Sequence, residues 1–517
     1  MSDLENENQQ PSERSPNRTA EFGPPPSGGW KWQNSYLQLP EKLYRKAKPE
    51  KVPNPEIALL NQPLAAELGL DWKECSPDQL ANLFAGHVIP AGIEPLAQAY
   101  AGHQFGGFTV LGDGRAILLG EHQNPQGTLV DVHLKGSGKT PFSRRGDGKA
   151  SLGPMLREYL ISESMHALSI PTTRSLAVVT TGEKVYRETV QPGAILTRIA
   201  KSHIRIGTFQ LLMATQDNQA LERLFDYTVE RLFPELLPLD RSEQAIELLR
   251  MVIDRQASLI AKWQSVGFIH GVMNTDNMLL SGETIDYGPC AFLDRYHPET
   301  VFSSIDSQGR YAYINQPAIA QWNLARFAET LLGLISADPQ HAVKLAMEQL
   351  EAFPSIFSDY WMAAMRKKLG LQNDDAEDKK EDNDLIEDLL KWMETSESDF
   401  TRTFRDLSEQ NLSHNELYQS EPFQDWLQRW QNRLPSHPSD NQHPSPYAIM
   451  KSVNPSIIPR NFRVEEALAA AHRGDLQPTL ELLAAIQNPY SQDPSFEKYR
   501  ELPPAGFCDS YCTFCGT

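Results

Sequence analysis

The chain has 517 residues, 40% of them hydrophobic and 22% charged, with 67 acidic against 48 basic residues and a net charge of −19. A chain of this length can bury a large core, divided among roughly two to four domains or subdomains. The acidic balance disfavours non-specific nucleic-acid binding and adhesion to anionic membrane, yet a nucleotide can still be held by a few local cations and a metal.

The opening stretch "MSDLENENQQPSERSPNRTAEFGPPPSGG" is polar and lacks the apolar core of a secretory signal and the basic character of a transit peptide. No apolar run approaches the length of about 18 residues that would suggest a membrane span. Five cysteines in such a chain do not make a disulfide framework. A reducing, cytoplasmic location is therefore expected, with neither membrane nor nucleic acid as partner and a monomer as the default state.

Residues 1–29 read as a disordered tail. Order is expected from Trp30 and Trp32, and residues 30–100 form an N-terminal extension of Pro-rich turns with a short helical piece around "PEIALLNQPLAAELGL". Residues 101–240 are rich in strand signals. "GGFTVL" (106–111) and "AILLGE" (116–121) flank the turn "GDGRA", which predicts a hairpin across glycine. "TLVDVHLKG" (128–136) alternates strictly, with Val130, Val132 and Leu134 on one face and Asp131, His133 and Lys135 on the other. "GPMLREYLISESMHAL" (153–168) reads as a helix opening at Pro154.

Residues 241–365 open with a strong amphipathic helix. Ile246, Leu249, Ile253, Ala257 and Ile260 recur at steps of three and four, up to a stop at Gly267. The loop "HGVMNTDNMLL" (270–280) follows, ending in a short strand from Met278 to Leu280, then a turn at Ser281-Gly282 and "TIDYGP" (284–289). Residues 366–390 hold an acidic run that reads as an exposed linker or solvated helix end, and 391–517 as a mainly helical region with a cysteine-bearing tail.

These parts fall in the order of a protein-kinase-like fold: a glycine-turn hairpin, a strand ending in Lys135, a helix with Glu158 and Glu163, a His-Gly loop with Asn277, then Asp286-Tyr287-Gly288. Each has a physical task. A glycine-lined turn lets backbone amides approach phosphates, a lysine supplies them a point charge, a helix glutamate holds that lysine, and Asn and Asp oxygens suit Mg²⁺. Where a kinase loop carries its catalytic Asp, this one has Val272, and an additional Asp276 stands directly before Asn277. His270 fits a loop buttress better than a catalyst. Asp113, Asp147 and Gly148 could be ordinary turn formers. Arg198 and Arg205 are seven apart, which puts them on one face of a helix but on opposite faces of a strand.

In "YAGHQFGGFTVLGDGRA", "LKGSGKTPFSRRGDGKA", "LREYLISESM", "RIAKSHIRIGTFQ", "HGVMNTDNM" and "IDYGP" the chain resembles the selenoprotein O family, kinase-like enzymes that adenylylate proteins. The likeness runs from about residue 30 to the end. It implies an α+β, two-lobed pseudokinase fold with additional N- and C-terminal mainly helical elements. It implies ATP bound in a flipped orientation, with Mg²⁺ or Mn²⁺, and AMP transfer to Ser, Thr or Tyr hydroxyls of proteins, other nucleoside triphosphates such as UTP being further donors. Carried onto this chain, Gly112, Gly114, Arg115 and Lys135 would contact nucleotide, and Asp147, Gly148, Arg198 and Arg205 would line the pocket for the outer phosphates. Glu158 would pair with Lys135, Asp276 would act as base, and Asn277 and Asp286 would hold the metal.

The C-terminal "FCDSYCTFCGT" places Cys512 and Cys515 where some members of that family carry Cys-x-x-selenocysteine. It lacks the strand-then-helix frame of a thioredoxin motif, so a redox-responsive tether, able to bridge Cys512 or Cys515 to Cys290, is the expectation. Two other functions fit parts of the pattern. A small-molecule kinase of the aminoglycoside-kinase type would need an Asp at Val272. A non-catalytic nucleotide-binding scaffold would have no need of Lys135, Asn277 and Asp286 together.

Overall fold

The computed structural model of the chain describes residues 28–371, 376–434 and 444–514. The polar tail to residue 27, residues 372–375 of the acidic run, and Cys515 lie outside the described residues.

In chain order the strands are β1 (Trp32–Gln33), β2 (Tyr44–Lys46), β3 (Glu56–Leu60), β4 (Leu96–Gln98), β5 (Ala101–Gln104), β6 (Gly107–Val110), β7 (Ala116–Gln123), β8 (Leu129–Lys135), β9 (Ala150–Ser151), β10 (Arg174–Tyr186), β11 (Val190–Ala200), β12 (Phe268–Ile269) and β13 (Ala291–Phe292). The helices of the first lobe are α1 (Gln62–Glu67), α2 (Pro77–Phe84) and α3 (Leu152–Ala167). Those of the second are α4 (Ile206–Ala214), α5 (Asn218–Leu232), α6 (Arg241–Ser265), α7 (Gln316–Ile335), α8 (Pro339–Glu351) and α9 (Phe353–Lys368). The C-terminal region carries α10 (Ala376–Thr395), α11 (Phe400–Glu409), α12 (Glu421–Arg433), α13 (Pro446–Val453), α14 (Asn461–His472), α15 (Gln477–Ile486) and α16 (Phe507–Ser510).

One nine-stranded sheet runs β2-β4-β7-β8-β11-β10-β3, with β1 added on β7 and β9 on β11. The alternation in β8 has the expected consequence. Val130, Val132 and Leu134 pack with Leu64, Leu68, Leu80 and Phe84 of the α1–α2 region. Asp131, His133 and Lys135 occupy the opposite face and are also buried, each no more than 6% exposed. A polar strand face buried that deeply needs internal partners, and those partners build the site. Helix α3 lies against β10 and β11, and α14 and α15 pack on α3. Helix α6 runs through the second lobe against α7 and α9, burying Leu249, Ile253, Ala257 and Ile260. This is an α+β arrangement of a sheet-bearing lobe and a helical lobe, with a helical C-terminal region. Among the described residues, no helix is long and apolar enough to cross a membrane.

Four local expectations are corrected. Residues 106–111 and 116–121 do not pair: β6 folds back on β5, with Ala101 opposite Val110 and Gln104 opposite Gly107. The turn comes earlier than the GDG signal, at Phe105-Gly106, where both residues take positive φ (50° and 86°) as a tight hairpin turn demands. Glycines 112 and 114 instead carry the chain from this small ribbon to the large sheet. The piece at 55–70 is half strand: β3 pairs with β10, and only then does Asn61 cap α1 through the Leu64 amide at 3.1 Å. Residues 278–280 make no strand; Leu279 forms a single bridge to Arg205, and Thr284 one to Thr172. The acidic run is not wholly solvated. Asp382 in α10 is buried, 2.6 Å from Arg366 and 3.0 Å from Arg433.

Candidate active site

A cleft of about 350 Å³ opens between the large sheet and the α4–α7 lobe. Gly112, Gly114, Arg115, Lys135, Asp147, Gly148, Arg198, Arg205, Asp276, Asn277 and Asp286 all line it. Glu158 stands behind Lys135, fully buried in α3.

The strand lysine ends β8 between two carboxylates. Lys135 Nζ donates to Glu158 Oε2 at 2.7 Å and also pairs with Asp286. Arg198, from the neighbouring strand β11, donates its Nε to the other Glu158 oxygen at 2.7 Å and lies 3.5 Å from Asp286. Glu163, the alternative partner one turn on, is instead held by Arg174 at 2.8 Å. Burial by itself would raise Asp286, but Lys135, Arg198 and Arg115 outweigh it and hold this carboxyl far below the usual range. Asp286 also takes φ of 66°, a left-handed backbone held in place by its surroundings.

Residues 275–277 form a single 3₁₀ turn. His270 buttresses the loop before it: Nε2 meets the Ile285 carbonyl at 2.9 Å and Nδ1 accepts from the Val272 amide at 3.3 Å. Val272 is a buried hydrocarbon wedge, 8% exposed. Its carbonyl takes the Asn277 Nδ2 at 3.0 Å, so the amide oxygen of Asn277 is the atom available to a cation. Asp276 faces the cleft. Gln104 Nε2 lies 3.5 Å from its Oδ2, and Oδ1 is buried with no hydrogen-bond partner. Burial pushes its carboxyl up to about 6, against the pull of Arg205. Gly102 of β5 packs so closely on Asp276 that a side chain there would overlap its carboxylate.

Arg198 and Arg205 converge although neither the helical nor the strand rule applies to the pair. Arg198 closes β11, the chain turns at 201–204, and Arg205 precedes α4. The Arg205 guanidinium lies 4.1 Å from the Tyr100 ring centre and donates to the Asp276 carbonyl at 3.2 Å. Asp147 does not present a bare carboxylate to the cleft. Arg187 grips it with bonds of 2.9 and 3.0 Å. Asp113 is likewise more than a turn former: it is buried, 3.1 Å from His133 and 3.7 Å from Arg205. Burial holds His133 below its usual range, so it serves as a neutral partner.

Sequence reasoning missed Tyr100, Gln104 and Arg187 as cleft residues. Tyr100 and Gln104 stand inside the quoted "YAGHQFGG" stretch, a usable signal. Arg187 had none, since it stands in the short connection between β10 and β11, 40 positions along the chain from Asp147.

The oxygen donors suit a hard divalent cation, but only in part. Among the described residues, no three His, Cys, Asp or Glu side chains gather to hold a metal by themselves. Asp286 and Asn277 could supply two oxygens to the cleft. The remaining positions would fall to phosphate oxygens and water, the usual shell of Mg²⁺ at nucleotide sites.

The profile of the family described as protein adenylyltransferase SelO matches residues 29–487. The chain belongs to the SelO family. It is 53% identical over 492 residues to a "Protein nucleotidyltransferase YdiU" of Nitrosococcus oceani, covering 95% of this chain and 98% of that one. A YdiU protein of Geobacillus kaustophilus is 54% identical over 490 residues, covering 95% and 99%. A solved Toxoplasma gondii protein, described as a virulence factor with a protein-kinase fold and no enzymatic activity, aligns over 66% of this chain at 9% identity and a TM-score of 0.22, too slight a likeness to bear on the fold. As a member of the family the chain is an enzyme, a protein nucleotidyltransferase that adenylylates proteins.

Near the tail, Thr513 Oγ1 donates to the Pro289 carbonyl at 2.7 Å, one residue from the buried Cys290. Cys75, Cys290, Cys508 and Cys512 are free thiols, and Cys512 is exposed.

Proposed function

We propose that this cleft transfers AMP from ATP to Ser, Thr or Tyr hydroxyls of protein substrates, with Mg²⁺ or Mn²⁺. The observation that carries the reading is the exchange between two positions of one loop. Val272, at the usual place of a kinase base, is buried hydrocarbon, while Asp276, four residues on, is a carboxylate that lines the cleft.

Asp276 takes the proton as the acceptor oxygen bonds to the α-phosphorus, and the bond from that phosphorus to the bridging oxygen breaks, releasing pyrophosphate. ATP lies flipped, its α-phosphate toward the acceptor and its outer phosphates among Arg198, Arg205 and the Asp147–Gly148 segment. Lys135 and Arg115 supply point charge to the phosphates, and Glu158 fixes Lys135 and Arg198 in register. Gly112 and Gly114 keep the turn thin enough for backbone to approach the nucleotide. Asp286 and the Asn277 amide oxygen would hold a divalent cation, which when bound would neutralise charge on the phosphates. Asp147 acts through Arg187, a fork suited to a phosphate or ribose oxygen.

The test is a paired labelling. Incubation with α-phosphate-tagged ATP labels the chain or a protein acceptor, mass spectrometry finds an adenylate adduct, and γ-tagged ATP labels nothing. Label that follows the γ-phosphate overturns the reading in favour of a kinase.

A further inference from the structure

The β5–β6 ribbon pairs with no other strand, yet it is bolted to the loop bearing Asp276. The His103 amide donates to Thr275 Oγ1 at 2.7 Å and the Phe105 amide to Asn274 Oδ1 at 3.2 Å. The register gives it two faces. Gly102 and Gln104 turn to Asp276, while His103 turns to Phe108 and to Trp322 of α7, each with ring centres 5.2 Å away. At the tip, Phe105 lies 5.2 Å from Tyr311, whose hydroxyl donates to the same Asn274 oxygen at 2.6 Å.

This ribbon carries apolar surface that folding leaves uncovered: Phe105 is 40% exposed, Phe108 42% and Val110 57%. Two arginines border it. Arg310 lies 5.0 Å from the Trp322 ring centre, and Arg144 donates to the Val110 carbonyl. Among the described residues neither guanidinium meets a carboxylate, in a chain of net charge −19. Exposed aromatics beside unpaired arginines, rigidly tied to a reacting group, are what a recognition surface requires.

We infer that the β5–β6 ribbon with Tyr311, Trp322 and Arg310 is the docking surface for the acceptor protein. Its occupant is an extended segment with an acidic side chain for Arg310 and an apolar one for Phe105 and Phe108, on the same stretch as the hydroxyl delivered to Asp276. Charge complementarity selects this occupant, since a basic segment would meet Arg144 and Arg310 as like charges. The inference rests on the reading of Asp276 as the acceptor-side base.

The experiment uses the full chain, Mg²⁺ or Mn²⁺, α-tagged ATP and arrayed synthetic peptides with a central Ser, Thr or Tyr. Flanking positions are fixed as Glu or Lys, with and without Leu. Glu- and Leu-flanked peptides are expected to be labelled at least fivefold more than Lys-flanked ones. Arg310→Glu should invert the charge preference, and Phe108→Ser should erase the Leu preference, both with ATP affinity unchanged as the check on folding. Arg310→Lys should keep the preference in weaker form. Equal labelling of all flanks, or an Arg310→Glu variant with the wild-type preference, overturns the docking surface alone. No label from α-tagged ATP on any peptide or on the chain itself overturns the transfer reading and this inference with it.

Discussion

Asp147 and Arg187 meet as a two-bonded pair, at 2.9 and 3.0 Å, on the wall of the cleft. One of the two arginine nitrogens, Nη2, also donates to the Lys149 carbonyl at 2.9 Å, so the fork is fixed before any ligand arrives. Bidentate pairing of this kind sets direction as well as charge. The position that resembles a nucleotide-binding Asp thus works as the mount for a cation.

From that pairing, Arg187→Ala and Asp147→Ala are each expected to weaken ATP binding by roughly tenfold. The double variant should be no weaker than Arg187→Ala alone, because the carboxylate acts through the arginine. Titration calorimetry checks this. Additive losses would show that Asp147 meets the nucleotide directly.

Asp286 and Asp276 are expected to separate binding from chemistry. Asp286→Ala should abolish transfer and remove the metal dependence of ATP affinity, since in the proposed site it would supply a cation oxygen, and it is a partner of Lys135. Asp276→Ala should lower the transfer rate about 100-fold or more, with ATP affinity within roughly threefold of wild type. Equal loss of affinity in both variants would contradict the assignment.

Gly102→Ala tests the ribbon as the support of the base. The added methyl would overlap the Asp276 carboxylate, so that side chain must move. A displacement of about 1 Å can lower a rate by about 100-fold. The expected result is a large fall in transfer with near-normal ATP affinity and melting temperature. Wild-type transfer by Gly102→Ala would mean that the close packing has no bearing on the base.

Lys368 gives a pH prediction remote from the cleft. Its ammonium is 4.1 Å from the Phe404 ring centre, and burial lowers it from 10.5 to about 7. A base depressed in the folded state destabilises most at low pH, where both states are protonated. The cost shrinks as pH rises from about 7 toward 10.5, because the folded state has then lost its proton. Lys368→Met should therefore stabilise the fold more at pH 6 than at pH 9, the two gains in unfolding free energy differing by on the order of 2 kcal/mol. An equal gain at both values would exclude a charge effect.

Much of the site was legible because its signals are local. Strand alternation put Lys135 and His133 on one face, helix periodicity found α3 and α6, and loop spacing marked Asn277 and the displaced Asp276. The family motifs chose Glu158 over Glu163, and the geometry pairs Glu158 with Lys135 at 2.7 Å. The misplaced hairpin shows the limit of such signals. Two glycine turns lie six residues apart in "FGGFTVLGDGR", and the sequence does not say which one closes a strand pair.

What the sequence by itself determined is the set of chemical parts and their order, since side-chain type and backbone period depend only on neighbours along the chain. The tertiary structure decided which parts meet. Arg187 reaches Asp147 across 40 positions, Arg198 and Arg205 converge through a turn that breaks every simple period, and Gly102 lies against Asp276 from 174 residues away. Those contacts depend on sheet register and on the packing of one lobe against the other, which are settled by many weak non-local contacts together and by no short stretch of residues.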